Sequence, residues 1–247
     1  MKLTTKILIA MLLLFTTGLF ASNILLKKVY DNTDKSDNYW TYGKILEQPF
    51  RHLKIEGGNI TKIAYEQSKT ASVRVLKEWY GYETGAVKAH VQNDTLYINF
   101  PNTYKNIYEK DYYKWNTMVR IFSPELLSVT GIDTKMEMYK LKQNKLSVNM
   151  AGKSEFEVES LVPYFDSLQI KQTDSSEVIF EMDPNLKSTG SFHVKSVYAD
   201  IRGKSFLDIG HAQVDSLQLT VADSSGVLLS GGTMKKNQLY NFNKTHP

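Results

Sequence analysis

Residues 166–180 read DSLQIKQTDSSEVIF, and residues 215–229 read DSLQLTVADSSGVLL, nearly the same phrase. A second phrase lies between and before them: Ala151-Gly-Lys-Ser-Glu-Phe-Glu-Val158 is matched by Arg202-Gly-Lys-Ser-Phe-Leu-Asp-Ile209. The chain therefore alternates two kinds of unit, one marked Gly-Lys-Ser and one marked Asp-Ser-Ser, in the order 146, 168, 197, 217 if each is named by its apolar residue. Leu127-Ser-Val-Thr-Gly-Ile-Asp133 is a more worn copy. Each unit alternates apolar and polar residues on either side of a short polar turn, the period of a half-buried strand. A strand, turn and strand of this length cannot bury an apolar face alone, whereas stacked copies bury a continuous column. The expected architecture is all-β, a parallel β-helix in which Leu168 and Ile170 lie over Leu217 and Leu219 with one unit between them. Asp, Ser and Gly take the corners, where Asp and Ser bond local backbone and Gly accepts positive φ. Pro163 and Pro184 fall between units, where a missing donor does least harm to a ladder.

Working outward, 53–55, 60–65, 72–75 and 95–100 show the same short alternation, and helical spacing is nearly missing after the N-terminus. The chain has 247 residues, 42% of them hydrophobic, enough for one large β domain. Tyr (15) and Phe (11) are plentiful and Pro (6) is scarce, which favours strands. With 30 basic and 26 acidic residues the net charge of +4 is no nucleic-acid footprint. There is no cysteine, which removes disulfides, thiolate metal sites, a cysteine nucleophile and a lipidated cysteine together.

The N-terminus is the exception to the strand pattern. Lys2 and Lys6 precede an uncharged run from Ile7 to Leu26, which Lys27 and Lys28 close. Twenty helical residues span about 30 Å, the hydrocarbon thickness of a bilayer. Residues 1–28 are a signal anchor or a signal peptide. Thr16 and Gly18 offer a cleavage site, while Leu19, Phe20, Ile24, Leu25 and Leu26 extend the apolar run beyond it. The domain is single-pass anchored outside the cytoplasm in the first case and secreted in the second. Residues 29–49 read as a linker, 50–236 as the β domain and 237–247 as a C-terminal tail.

Phe50-Arg-His-Leu-Lys-Ile-Glu-Gly-Gly58, Asn93-Asp-Thr-Leu-Tyr-Ile98, Ile121-Phe-Ser-Pro-Glu-Leu-Leu127 before Val129-Thr-Gly131, and the repeating units resemble the head GIN domain family of autotransporter-adhesin-like bacterial envelope proteins. The resemblance covers about 50–236. Family members carry Gly-Ser-Gly turns where this chain has Gly-Lys-Ser, Asp-Ser-Ser and Ser224-Ser-Gly226. The resemblance implies a right-handed β-solenoid on the envelope side of a membrane and carries over no catalytic or binding residue.

Chemistry-bearing motifs are few. His52, His90, His193, His211 and His246 lack the His-x-x-x-His or Glu-x-x-His spacing of a metal face. Gly152-Lys-Ser154 and Gly203-Lys-Ser205 are followed by strands, so they are turns and not phosphate loops. Asp174 and Asp223, with Asp133 and Asp200, are the acidic residues that a carbohydrate-active β-helix enzyme would use, and they are also ordinary corner residues. No cofactor is indicated. Residues 99–116 (NFPNTYKNIYEKDYYKWN) pack aromatics among Lys and Asn, and Tyr104, Tyr108, Tyr112, Tyr113 and Trp115 are the candidate ligand residues for a glycan or a protein. Trp79-Tyr-Gly-Tyr82 is a second set. The same long segment would also serve to cap the open end of a stack. The expectation is a non-enzymatic binding or scaffolding module of the envelope, with the acidic-face enzyme as the alternative.

Overall fold

The computed structural model describes residues 2–79, 85, 87–100, 116–182 and 192–237. The chain divides into two compact units, residues 1–41 and 42–247. In the first, α1 (Leu3–Asp31) is a single helix of 29 residues with none buried. Residues 29–49, expected to form a linker, hold the end of this helix and the first strand of the domain, β1 (Tyr42–Leu46).

Among the described residues the second unit holds β1 and sixteen further strands: β2 (His52–Glu56), β3 (Lys62–Gln67), β4 (Ser72–Leu76), β5 (Lys88–Gln92), β6 (Thr95–Asn99), β7 (Thr117–Ser123), β8 (Ser128–Ile132), β9 (Lys135–Leu141), β10 (Lys145–Ala151), β11 (Glu155–Ser160), β12 (Tyr164–Gln172), β13 (Glu177–Met182), β14 (Phe192–Ile201), β15 (Phe206–Asp208), β16 (Ala212–Val221) and β17 (Gly226–Leu228). Sheet A has the order β1-β4-β7-β3-β9-β11-β13-β15-β17, and sheet B has the order β16-β14-β12-β10-β8-β2-β6-β5. From β8 onward the chain alternates between the sheets at every step, and each strand pairs parallel with the strand two places later.

That alternation answers why the phrase is written twice. Leu146, Leu168, Val197 and Leu217 are successive register partners on β10, β12, β14 and β16, and Val148, Ile170, Ala199 and Leu219 form the next column. The two DSLQ copies are thus two rungs apart, on β12 and β16. Inside, Phe165 meets Phe192 edge-on at 5.4 Å and Phe180 at 6.4 Å. Tyr65 is fully buried, its hydroxyl against Ser123 Oγ at 3.0 Å, and burial pushes the phenol up to about 12.

The two Gly-Lys-Ser turns and the first Asp-Ser-Ser turn are one corner in two versions, a geometry that the last turn, at Asp223, does not share. Each joins a sheet B strand to the next sheet A strand, and Asp133, Gly152, Asp174 and Gly203 all have positive φ, of 51°, 68°, 68° and 73°. A Cβ on Gly152 would stand 2.5 Å from Asp133 Oδ1, and one on Gly203 would stand 2.6 Å from the Asp174 carbonyl oxygen. Two side chains cannot share adjacent rungs there. Asp tolerates the left-handed region better than most residues and Gly needs no room, so the two types alternate. The Asp carboxylates bond the neighbouring rung: Lys153 N–H donates to Asp133 Oδ1 at 2.9 Å and Gly152 N–H to Asp174 Oδ2 at 3.2 Å. The final Ser of each turn points inward, with Ser154, Ser176 and Ser205 buried in a column where Ser176 and Ser205 hydroxyls lie 3.3 Å apart.

The expectation of a parallel β-helix throughout 50–236 is corrected by the first half of the domain, where both sheets are mixed. β4 runs antiparallel to β1 and β7, and β5 runs antiparallel to β6. The cause at β5–β6 is local. Asn93 and Asp94 have φ of 49° and 61°, a two-residue hairpin turn that returns the chain immediately, whereas a parallel pair needs a crossover. The sheets also do not close on each other, since each keeps an edge strand at both ends. At the far end α2 (Gly231–Lys236) covers part of β16: Val214 N–H donates to Thr233 Oγ1 at 2.9 Å, and Leu217 N–H to Asn237 Oδ1 at 3.0 Å.

Candidate binding face

Strand register decides which outward side chains stand in line. Across the outer face of sheet B one such row is Gln92, Thr95, His52, Ser128, Ser147, Gln169, Tyr198 and Gln218. None of the eight is buried. Eight strands at a spacing of 4.7–4.9 Å make the row about 34 Å long. It contains no carboxylate, ammonium or guanidinium group. The hydroxyls and amides in it both donate and accept hydrogen bonds. His52 Nδ1 lies 2.7 Å from Ser128 Oγ, which fixes the imidazole along the row.

Aromatic rings stand at both ends of this face. At one end His90 is stacked on Tyr97, with centroids 5.1 Å apart and planes at 9°. At the other, Tyr198 is 52% exposed and Tyr164 is 37% exposed. Tyr164 packs edge-on against His193 at 5.2 Å, and His193 Nε2 contacts Asp215 Oδ1 at 2.7 Å. Lys236 and His193 together hold the Asp215 carboxyl below the usual carboxylate range, the lysine contact being the larger influence. The parallel row His90, Tyr97, Lys54, Thr130, Asn149, Lys171, Asp200 and Thr220 carries three formal charges and borders the neutral one.

The outer face of sheet A is of another kind. Its central row is Lys44, Arg74, Arg120, Ala64, Glu137, Glu157, Ile179 and Asp208, with cations at one end and acids toward the other. Arg120 Nη1 binds Glu66 while its Cζ lies 5.2 Å from the centre of the Tyr42 ring, Lys62 pairs with Glu137, and Lys135 pairs with Glu155. Partial burial, with Glu137 and Glu181 nearby, pushes the Glu157 carboxyl up.

The candidate ligand residues Tyr104, Tyr108, Tyr112, Tyr113 and Trp115 lie outside the described residues, as do His246, Tyr80 and Tyr82. Trp79 is buried against Phe100, with centroids 6.3 Å apart, so this member of the second aromatic set belongs to the core. Of the acidic candidates, Asp133 and Asp174 line one cleft of about 610 Å³ at the corner with Asn59 and Lys153, and Asp200 and Asp223 stand outside it. Asp133 and Asp174 accept backbone N–H groups, Asp200 pairs with Arg202 Nε at 2.9 Å, and Asp223 sits exposed in the last turn. Among the described residues no group of three or more His, Asp or Glu could hold a metal ion. Sequence reasoning passed over the neutral row because its members come from eight strands and share no motif.

No family model matches the chain, and no curated protein matches it. Solved structures similar to it include a "putative adhesin" from Bacteroides fragilis, at 13% identity and a TM-score of 0.41 over 76% of this chain and 93% of that one. A "putative adhesin" from Parabacteroides distasonis is similar at 14% identity and a TM-score of 0.37, over 76% and 96% of the two chains. A "Putative lipid binding protein" from the same species is similar at 14% identity and a TM-score of 0.29, over 77% and 94%. At this distance they assign neither family nor activity to this chain.

Proposed function

We propose that this protein is a non-enzymatic binding module of a bacterial envelope, held by α1 or released from it, that presents the outer face of sheet B to an extended neutral glycan. The observation that carries the reading is the uncharged row of eight side chains from Gln92 to Gln218, with Tyr198 in it near one end and the His90–Tyr97 pair in the bordering row at the other. Hydroxyls and amides repeated at strand spacing suit a polymer whose own hydroxyls repeat, and Tyr97 and Tyr198 offer flat area to sugar rings. The scaffold for this face is a β-solenoid over its second half. Alternating sheets joined by short corners make successive coils, and the strong preference for right-handed crossovers between parallel strands gives their hand. This agrees with the resemblance to the head GIN domain family. The segment carrying Tyr104, Tyr108, Tyr112, Tyr113 and Trp115 follows β6 directly, and we assign it a second contact with the same ligand.

The test is a glycan array probed with the purified full chain in detergent. Binding to neutral glycans that persists as salt rises is the expected result. Binding confined to acidic glycans and lost with salt would transfer the site to charged residues and overturn the reading. Replacing Tyr112, Tyr113 and Trp115 together by Ala should weaken glycan binding while the melting temperature stays nearly unchanged; a large fall in stability would make that segment a cap instead.

A further inference from the structure

The end of α1 is folded into a hook. Asn32 N–H donates to the Lys28 carbonyl at 3.1 Å and Thr33 Oγ1 to the Val29 carbonyl at 2.8 Å, which close the last turn of the helix. Two aspartate-capped turns follow. Asp34 Oδ1 accepts Ser36 N–H at 2.9 Å and the Ser36 hydroxyl at 2.6 Å, and Asp37 Oδ1 accepts Tyr39 N–H at 2.9 Å. Trp40 N–H then donates to the Asp37 carbonyl at 3.1 Å. The Lys35 ammonium lies 3.8 Å from the centre of the Tyr30 ring, so the chain after the helix turns back beside its last turn. Between the two lies a cleft of about 460 Å³ lined by Leu26, Val29, Tyr30, Thr33, Lys35 and Trp40 among others. Tyr30 is 63% exposed and Trp40 is 51% exposed.

We propose that Val29–Trp40 is a docking site for the headgroup layer of a phospholipid bilayer, with the boundary between headgroups and acyl chains filling the cleft. This rests on the reading that α1 is retained as an anchor. The uncharged run from Ile7 to Leu26 already spans about 30 Å of hydrocarbon. The hook follows without a break, so it lies at headgroup depth. Tyr and Trp are the side chains that settle there, with an apolar body and a polar edge, and Lys27 and Lys28 carry long stems that reach from hydrocarbon to water. Charge supports attachment by ring burial. Lys27, Lys28 and Lys35 are balanced by Asp31, Asp34 and Asp37. Hydrogen bonds from Ser36 hold the Asp34 carboxyl below its ordinary range, so that side of the hook stays ionised and faces water.

The absence of cysteine makes a clean test possible. Single nitroxide labels are placed through Asn38→Cys in the hook, Phe15→Cys in the middle of α1 and Lys69→Cys in the loop after β3, each in the full chain in vesicles of phosphatidylethanolamine with phosphatidylglycerol. Collisions with oxygen report hydrocarbon, and collisions with a water-soluble nickel complex report solvent. The Asn38 label should be shielded from nickel relative to the Lys69 label, and should remain so when salt is raised. Tyr30→Ala with Trp40→Ala should bring its nickel accessibility up to the Lys69 level while the Phe15 label stays in oxygen-rich hydrocarbon. An Asn38 label as open to nickel as the Lys69 label in the parent chain overturns the hook proposal and leaves the anchor reading standing. A Phe15 label open to nickel removes the anchor reading itself.

Discussion

The two sheets turn different chemistry outward from the same core. Along sheet A the central row passes from Lys44, Arg74 and Arg120 to Glu137, Glu157 and Asp208, and several of these charges are spent on partners within the face, as in Arg120 with Glu66 and Lys62 with Glu137. Along sheet B the row from Gln92 to Gln218 has no formal charge, Tyr198 stands in it near one end, and the stacked His90–Tyr97 pair stands in the bordering row at the other. Solvation alone asks only that an outward face be polar, and both faces satisfy that. What solvation does not require is a row of eight uncharged side chains on sheet B, bordered by one that carries Lys54, Lys171 and Asp200, against a central row of sheet A with six charged side chains.

The comparison is tested most severely at the corner that sets both faces in register. Gly203→Ala places a Cβ 2.6–2.9 Å from Asp174 backbone atoms at a φ of +73°, and should cost about 3 kcal/mol of unfolding free energy in a denaturant titration. Gly58→Ala meets the movable ring edge of Phe100 and should cost about half as much, roughly 1.5 kcal/mol. Equal losses would mean that the corner column is not special. Next comes the ligand face. Tyr97→Ala with Tyr198→Ala should weaken glycan binding by about 2 kcal/mol, roughly thirtyfold, with the melting temperature nearly unchanged.

On the charged face the expected effects are smaller and opposite in kind. Arg120→Met removes the contact with Glu66 and should lower stability by about 1 kcal/mol while leaving glycan affinity as it was; an affinity loss would merge the two faces into one site. The smallest effect belongs to Glu157. Its folded pKa is raised, so its ionised form is disfavoured in the folded state, and a destabilisation appears as pH rises from the ordinary carboxylate range through the folded pKa. Glu157→Gln should therefore raise stability by about 0.5 kcal/mol at neutral pH, with the gain vanishing in acid.

Much of the stack was legible because its period lies in the chain itself. The DSLQ phrases and their neighbours state that apolar columns recur, and β10, β12, β14 and β16 align them as expected. The equivalence of Gly-Lys-Ser with Asp-Ser-Ser was not legible. It depends on Gly203 lying against Asp174 across a rung, a closeness that strand order creates and spacing along the chain does not show. The mixed pairing of the first half was missed at Asn93-Asp94, a hairpin turn absorbed into the reading of a single strand at 95–100. The part that Asp133 and Asp174 play in holding the backbone of adjacent rungs was not legible for a similar reason.

By itself the sequence determined the strand period, the two-rung repeat, the absence of disulfides and the apolar helix, because each is a property of neighbours along the chain. Only the tertiary structure decided that Gln92 and Gln218 belong to one row, that six charged side chains share the central row of the other sheet, and that Tyr30 and Trp40 frame one cleft. Lateral register brings together residues far apart in the chain, and register is set by hydrogen bonds between strands that no single stretch contains.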